Sequence, residues 1–173
     1  MQRVSVVGNS GAGKSTLARR LAANLGAPHV ELDAIFHQPG WRELPSDEFR
    51  AAVAEAVGAE SWVVDGNYSE VRDLVLARAD TVVWLDLGRS LVMRRVVART
   101  LRRVLTRQEL WNGNREPFTN LYRWDPTKNI IRWAWTRHGV YARRFADEAR
   151  NPGHAHIQFV RLRSPAEIDA LLR

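Results

Sequence analysis

Gly8-Asn9-Ser10-Gly11-Ala12-Gly13-Lys14-Ser15-Thr16 is the stretch that decides the fold. It matches G-x-x-x-x-G-K-[ST], a loop whose backbone N–H groups surround the phosphates of a nucleotide. The flanking residues supply the context this motif needs. Arg3-Val4-Ser5-Val6-Val7 is a short apolar run suited to a buried strand. Leu17, Ala18, Leu21, Ala22 and Leu25 then recur at helical spacing, until Gly26 and Pro28 stop the helix. Glycines at 8, 11 and 13 let the chain turn tightly and approach an anion with no Cβ in the way. The loop amides converge on that anion at the positive end of the following helix. Lys14 is placed to reach the β- and γ-phosphates of ATP, and the Ser15 hydroxyl to ligate Mg²⁺. The alternative is a ligand-free glycine turn, but Lys and Ser directly after the third glycine speak against it. The chain has 26 Lys+Arg, with lysine only at Lys14 and Lys128. Lysine thus stands where a slim point charge is wanted between phosphates.

With 173 residues, 45% hydrophobic content and no repeats or low-complexity linker, one domain over residues 1–173 is expected. No apolar stretch reaches the ~20 residues that cross a bilayer. The N-terminus runs straight into strand and loop, without room for a signal peptide. The absence of cysteine excludes disulfides and thiolate chemistry. A cytoplasmic protein is the expectation. The net charge of +7 is unevenly spread. Residues 1–87 hold 8 basic and 12 acidic groups (net −4), residues 88–150 hold 15 and 5 (net +10), and residues 151–173 add +1.

Along the chain, His29–Asp33 reads as a second strand ending in a carboxylate, and Ser46 opens a helix closed by Gly58. Trp62–Asp65 reads as a third strand, followed by a short helix at about 69–78 and an apolar Thr81–Leu87 strand. Ser90 is expected to cap a long helix to about Arg107. An irregular stretch (about 108–126) precedes an aromatic helix, about Thr127–Ala149, and His156–Leu162 is the last strand. Ser164-Pro165-Ala166-Glu167 is a capping box with proline at the first helical position. Strands apolar on both faces, alternating with helices, predict an α/β fold with a parallel sheet covered on both sides. Right-handed crossovers bring the carboxyl ends of the strands to one edge, where ligands of such sheets bind. Gly8–Thr16, Asp33 and Asp65 all fall at that edge.

Asp65 stands where a Mg²⁺ carboxylate is needed, or it simply begins the turn Asp65-Gly66-Asn67. Asp33 can orient or deprotonate an acceptor hydroxyl, or cap the segment Ala34-Ile35-Phe36. Asp86 reads as an ordinary strand exit. Arg95, Arg99, Arg102 and Arg103 share one arc of the 90–107 helix. They form either a solvated basic face or part of a lid, about residues 106–128, that closes on a triphosphate. An arginine supplied to the moving phosphoryl group is worth ~10³–10⁵ in rate. Trp111, Trp124, Trp133 and Trp135 could stack a base, or pack the core or lid. His37, His138, His154 and His156 show no metal-site spacing.

Leu32-Asp33-Ala34-Ile35-Phe36, Pro39-Gly40-Trp41, Trp62–Tyr68, Trp84–Leu87 and Asn112-Gly113-Asn114-Arg115-Glu116 together resemble the topology modulation proteins, an adenylate-kinase-like branch of the P-loop kinases. The resemblance runs nearly end to end. It implies a three-layer P-loop NTPase fold with sheet order 2-3-1-4-5, ATP and Mg²⁺ binding, and an arginine-bearing lid after the fourth strand. By analogy with that fold, Arg163 after the last strand lines the adenine pocket. Asn114 and Arg115 are carried over as substrate-binding lid residues. True adenylate kinases place an acceptor-phosphate arginine after the third strand, whereas Tyr68 and Ser69 stand here and the nearest arginine is Arg72. An acid at the end of the second strand resembles the shikimate and gluconate kinases, which phosphorylate hydroxyls.

The implied activity is ATP-dependent phosphoryl transfer to a nucleotide or small hydroxyl-bearing metabolite. Arg95, Arg99 or Arg103 would neutralise the moving group, and Arg72 would reach the acceptor. Two alternatives stay open: a nucleic-acid-associated ATPase using the +10 segment, and a nucleotide-binding regulator with little turnover.

Overall fold

The computed structural model describes residues 1–121, 125 and 129–173. Five strands form the main sheet: β1 (Arg3–Gly8), β2 (His29–Glu31), β3 (Trp62–Asp65), β4 (Thr81–Leu85) and β5 (Gln158–Leu162). All pairings are parallel, and the spatial order is β2-β3-β1-β4-β5. This is the 2-3-1-4-5 order that the family resemblance implies. The helices are α1 (Lys14–Leu25), α2 (Leu32–Phe36), α3 (Ser46–Ala56), α4 (Arg72–Arg78), α5 (Arg89–Thr106), α6 (Ile130–Arg150) and α7 (Pro165–Leu171). A two-residue antiparallel ribbon, His37–Gln38 against Arg42–Glu43, follows α2.

The period-two geometry of the strands divides the core between two faces. Val4, Val6, Val63 and Val83 meet Leu17 and Leu21 of α1 on one side, with Ile168 of α7 packed against them. On the other side, Trp62 and Val64 meet Phe49 and Val53 of α3, while Val82 and Trp84 meet Phe145 of α6. Each large side chain removed from water there contributes about 1.5–3 kcal/mol. The buried Trp62 indole N–H donates to the Val57 carbonyl at 3.1 Å, so the polar end of that ring has a partner.

Several boundaries depart from the sequence reading, each for a local reason. β2 ends at Glu31, and Asp33 lies in the first turn of α2 rather than at a strand terminus. Leu32 turns into the core beneath Gly66, where a Cβ on Gly66 would come within 2.8 Å of it. That close packing forces the chain out of the sheet. β4 stops at Leu85, and β5 begins at Gln158. Ser90 is not a cap: α5 begins one residue earlier, after Gly88, with no side-chain cap. α6 begins at Ile130, and Asn129 Oδ1 accepts from the Ile131 and Arg132 amides. The residues proposed to start that helix, 127 and 128, lie outside the described residues, as does Trp124. Ser164 caps α7 as expected, accepting from the Glu167 N–H (3.3 Å), while the Glu167 carboxylate accepts from the amide of Arg163, one residue before the cap (2.7 Å), instead of from Ser164 N–H. Among the described residues, no helix is long and apolar enough to cross a membrane.

Candidate active site

The loop between β1 and α1 has the backbone its glycines permit. Gly8, Gly11 and Gly13 adopt φ of 146°, 83° and 99°, a region that costs residues with a Cβ about 1–2 kcal/mol. Two asparagines hold this loop. Asn67 grips the Gly8 peptide from both sides, its Oδ1 accepting from the N–H (3.3 Å) and its Nδ2 donating to the C=O (2.6 Å). Asn9, itself buried, accepts from the Ser10 amide (2.9 Å) and donates to the Ala134 carbonyl of α6 (2.7 Å).

Lys14 Nζ donates to the Asn9 carbonyl at 3.3 Å. Removal from water, helped by nearby Arg99, pulls this ammonium below its ordinary value of 10.5, while Asp33 and Asp65 pull the other way. Lys14, Asp33, Asp65 and Arg99 therefore share one electrostatic neighbourhood. Arg99 Nη2 donates to Ser10 Oγ (3.0 Å) and Arg95 Nη1 to the Ala12 carbonyl (3.4 Å). Burial, with Arg103 alongside, also lowers the Arg99 value, and its Nε is buried without a partner. Arg103 instead pairs with Glu116 at 3.5 Å and lies over the Trp111 ring.

Asp33 is fixed by a residue the sequence reading did not single out. The Tyr68 hydroxyl donates to Asp33 Oδ1 at 2.6 Å and lies 3.4 Å from His37 Nε2. Phe36 and Phe49 hold the Tyr68 ring, at centroid distances of 4.7 and 5.2 Å. Burial and the Asp33 charge push the phenol upward, so Tyr68 stays protonated and serves as a donor.

Asp65 is 2% exposed and lies 3.3 Å from His29 Nε2, while Glu31 lies 3.7 Å from His29 Nδ1. Ser15 occupies the first turn of α1, with Thr16 exposed beside it. A hydroxyl and a buried carboxylate beside a phosphate loop are hard oxygen donors that fit Mg²⁺, an ion that usually takes one or two protein ligands and completes its shell with phosphate and water. Among the described residues, no group of three or more His, Asp or Glu forms a metal cage.

Other sequence candidates have different partners. Arg72 is paired with Glu148 and lies 5.1 Å from the Phe145 ring centroid, so the structure commits it to α6. Asn114 is buried, and its amide donates to the Gln38 carbonyl (3.0 Å) and accepts from the Trp41 amide (2.9 Å). Both polar ends are used, which makes Asn114 a latch between segments instead of a free ligand. Asn112 adds bonds to the Ala34 and His37 carbonyls (3.0 and 2.7 Å), and Trp111 Nε1 donates to Glu31 (2.8 Å). The exposed Arg115 side chain lies 4.0 Å from Glu109, while its carbonyl accepts from Trp41 Nε1. Arg163 is exposed, and its backbone amide donates to the Glu167 carboxylate at 2.7 Å. Asp86 takes Arg161 at 2.9 Å, as a strand exit should. Trp133 and Trp135 carry Arg137 and Arg89 on their faces, at 4.4 and 4.9 Å. Of the basic segment, Arg95 and Arg99 contact the phosphate loop and Arg103, Arg115 and Arg144 pair with carboxylates.

The sequence places this arrangement among known proteins. Residues 4–156 match the AAA domain family. The shikimate kinase of Corynebacterium efficiens is 32% identical over 119 residues, covering 59% of this chain and 68% of that protein. A solved gluconokinase from Sinorhizobium meliloti is 19% identical with a TM-score of 0.52, over 99% of this chain and 87% of its own. A shikimate kinase from Acinetobacter baumannii, solved with shikimate, is 16% identical with a TM-score of 0.56, over 99% and 89% of the two chains. These two structures show likeness of fold alone. With its glycine loop, its parallel sheet and this sequence match taken together, the chain belongs to the AAA domain family and is a P-loop kinase.

Proposed function

We propose that the protein transfers the γ-phosphoryl group of ATP to a hydroxyl of a small acceptor molecule. The observation that carries this reading is Asp33. It is held by the Tyr68 hydroxyl at 2.6 Å and lies within the electrostatic reach of both Lys14 and Arg99, beside the phosphate loop. The loop amides and Lys14 bind the β- and γ-phosphates. Ser15 and Asp65 hold Mg²⁺, which when bound supplies charge neutralisation across the phosphates. Asp33 accepts the proton of the acceptor hydroxyl. That oxygen forms its bond to the γ-phosphorus as the bond to the bridging oxygen breaks and ADP leaves. Arg99 and Arg95, which contact the loop at Ser10 and Ala12, offset charge on the transferring group. Catalysis is positioning plus electrostatics, with no covalent enzyme intermediate.

The lid expected at about 106–128 is assigned to its described part, 106–121, residues 122–124 and 126–128 lying outside the described residues, and the Asp65-Gly66-Asn67-Tyr68 and Pro39-Gly40-Trp41 elements favour the topology modulation branch. ATP-dependent transfer fits the cytoplasmic setting expected from the sequence. ADP release against a panel of nucleosides, nucleotides and polyols tests the proposal, with mass detection of the phosphorylated product. Asp33→Asn should lose ~10²–10⁴ in rate while keeping its melting temperature. Release of ADP with water as sole acceptor across the panel would refute the transferase reading.

A further inference from the structure

We propose that His37 and Tyr68 are positioning residues for phosphoryl transfer. His37 directs the single phenol proton of Tyr68 onto Asp33, and that bond holds Asp33 with its other oxygen free for the acceptor hydroxyl. This rests on the transfer reading above and extends it to a histidine outside the phosphate loop. Tyr68 Oη donates to Asp33 Oδ1 at 2.6 Å and lies 3.4 Å from His37 Nε2. A phenol has one hydrogen to give, and its oxygen can accept another. That hydrogen lies in the shorter contact, toward the carboxylate. The longer contact must therefore run the other way, with His37 Nε2–H donating to the phenol oxygen.

The surroundings of the imidazole select that tautomer. His37 Nδ1 is buried without a hydrogen-bond partner among the described residues. The opposite tautomer would bury an Nδ1–H with no acceptor, and would turn a bare Nε2 toward a phenol with no second hydrogen to offer. The ring is also held in place. Phe36 and Trp41 stand edge-on to it at 5.2 and 5.1 Å, and Trp111 stacks on it at 6.2 Å. Asn112 holds the His37 backbone, donating to its carbonyl at 2.7 Å. Hydrogen bonds in series polarise one another, so donation from His37 strengthens the bond from Tyr68 to Asp33. Among the described residues Asp33 Oδ1 is the oxygen so engaged, which leaves Oδ2 to take the acceptor proton.

The test uses Mg·ATP and whichever compound of the panel above gives the highest kcat/KM. Tyr68→Phe keeps the ring between Phe36 and Phe49 and removes only the hydroxyl. Its kcat should fall roughly 10–100-fold with KM for ATP unchanged. His37→Ala should lower kcat about 3–10-fold, the worth of one hydrogen bond. His37→Gln carries an amide N–H about as far out as Nε2 and should restore the rate. His37→Asn reaches only as far as Nδ1 and should not. In the Tyr68→Phe background His37→Ala should add nothing, because the oxygen it serves is gone. Additive losses, equal rates for the Gln and Asn variants, or an effect confined to KM for ATP would overturn the positioning roles and leave the phosphotransferase reading intact. Transfer to no compound by the wild type overturns both. Nitrogen-15 shifts of the His37 ring read the hydrogen-bond chain without any acceptor: Nε2 is expected protonated and Nδ1 bare, and the reverse tautomer refutes the proposal whatever the activity.

Discussion

Gly11 sits where the phosphate loop meets α5, and its replacement by alanine separates two effects that glycine loops usually confound. A Cβ at this position would lie 2.4 Å from Val96 Cγ2 and 2.9 Å from the Val92 carbonyl oxygen, at φ +83°. At Gly13, φ is +99°, but the nearest atom is Arg95 Nη1 at 3.8 Å. Gly13→Ala should therefore cost only the left-handed backbone penalty, about 1–2 kcal/mol. Gly11→Ala adds overpacking against a fully buried valine, about 1–3 kcal/mol more. The sum, roughly 2–5 kcal/mol, is a large share of a typical domain's 5–15 kcal/mol. Urea midpoints, with unchanged m-values, measure the difference. Val96→Ala in the Gly11→Ala background removes the closest contact, so the pair should be less destabilised than the sum of the singles by about 1 kcal/mol. Equal stabilities for the two glycine variants, or strict additivity in the cycle, would show that α5 does not dock on the loop as described.

Asn114→Ala should cost about 1–3 kcal/mol, because it leaves the Gln38 carbonyl and the Trp41 amide without their partner; a red-shifted Trp41 emission would report the opened latch. Ser164→Ala should cost about 1 kcal/mol through loss of the α7 cap, read as a lower urea midpoint. Lys14 supplies a pH dependence. Its native value lies below 10.5, so between the two values the unfolded chain binds more protons. Its penalty to stability is full below the native value and fades as pH rises toward 10.5. Bound phosphate restores the charge, so nucleotide binding should take up protons at about pH 10. Calorimetry in two buffers of different ionisation enthalpy should then give different heats for the wild type and equal heats for Lys14→Met. Buffer-independent heats in the wild type would contradict this.

The phosphate loop and the α7 cap were legible because each is written in consecutive residues, whereas the five-strand order followed only from the resemblance to a known family. Asp33 was correctly brought to the strand edge but put in the wrong element, since the chain leaves the sheet through the fit of Leu32 under Gly66. The clamp of Asn67 on Gly8, the Asn9 bond to α6 and the Asn112–Asn114 latch were not legible. These join backbone and side chains 59 to 125 positions apart, and such contacts leave no local period. Asp65-Gly66-Asn67 and Asn112-Gly113-Asn114 look like ordinary turn chemistry, which conceals the long reach of their amides. Tyr68 was noticed as part of a family element and as a departure from another family's arginine, but its bond to Asp33 leaves no trace in the sequence.

The scarcity of lysine around a half-sheltered Lys14 has a practical side. A reagent that acylates amines has just two lysine side chains to modify, Lys14 and Lys128. One of them lies in the cradle where phosphate would sit. Peptide mapping after brief acetylation would thus give a nearly background-free footprint of occupancy, and candidate nucleotides could be ranked by how well they shield that single amine.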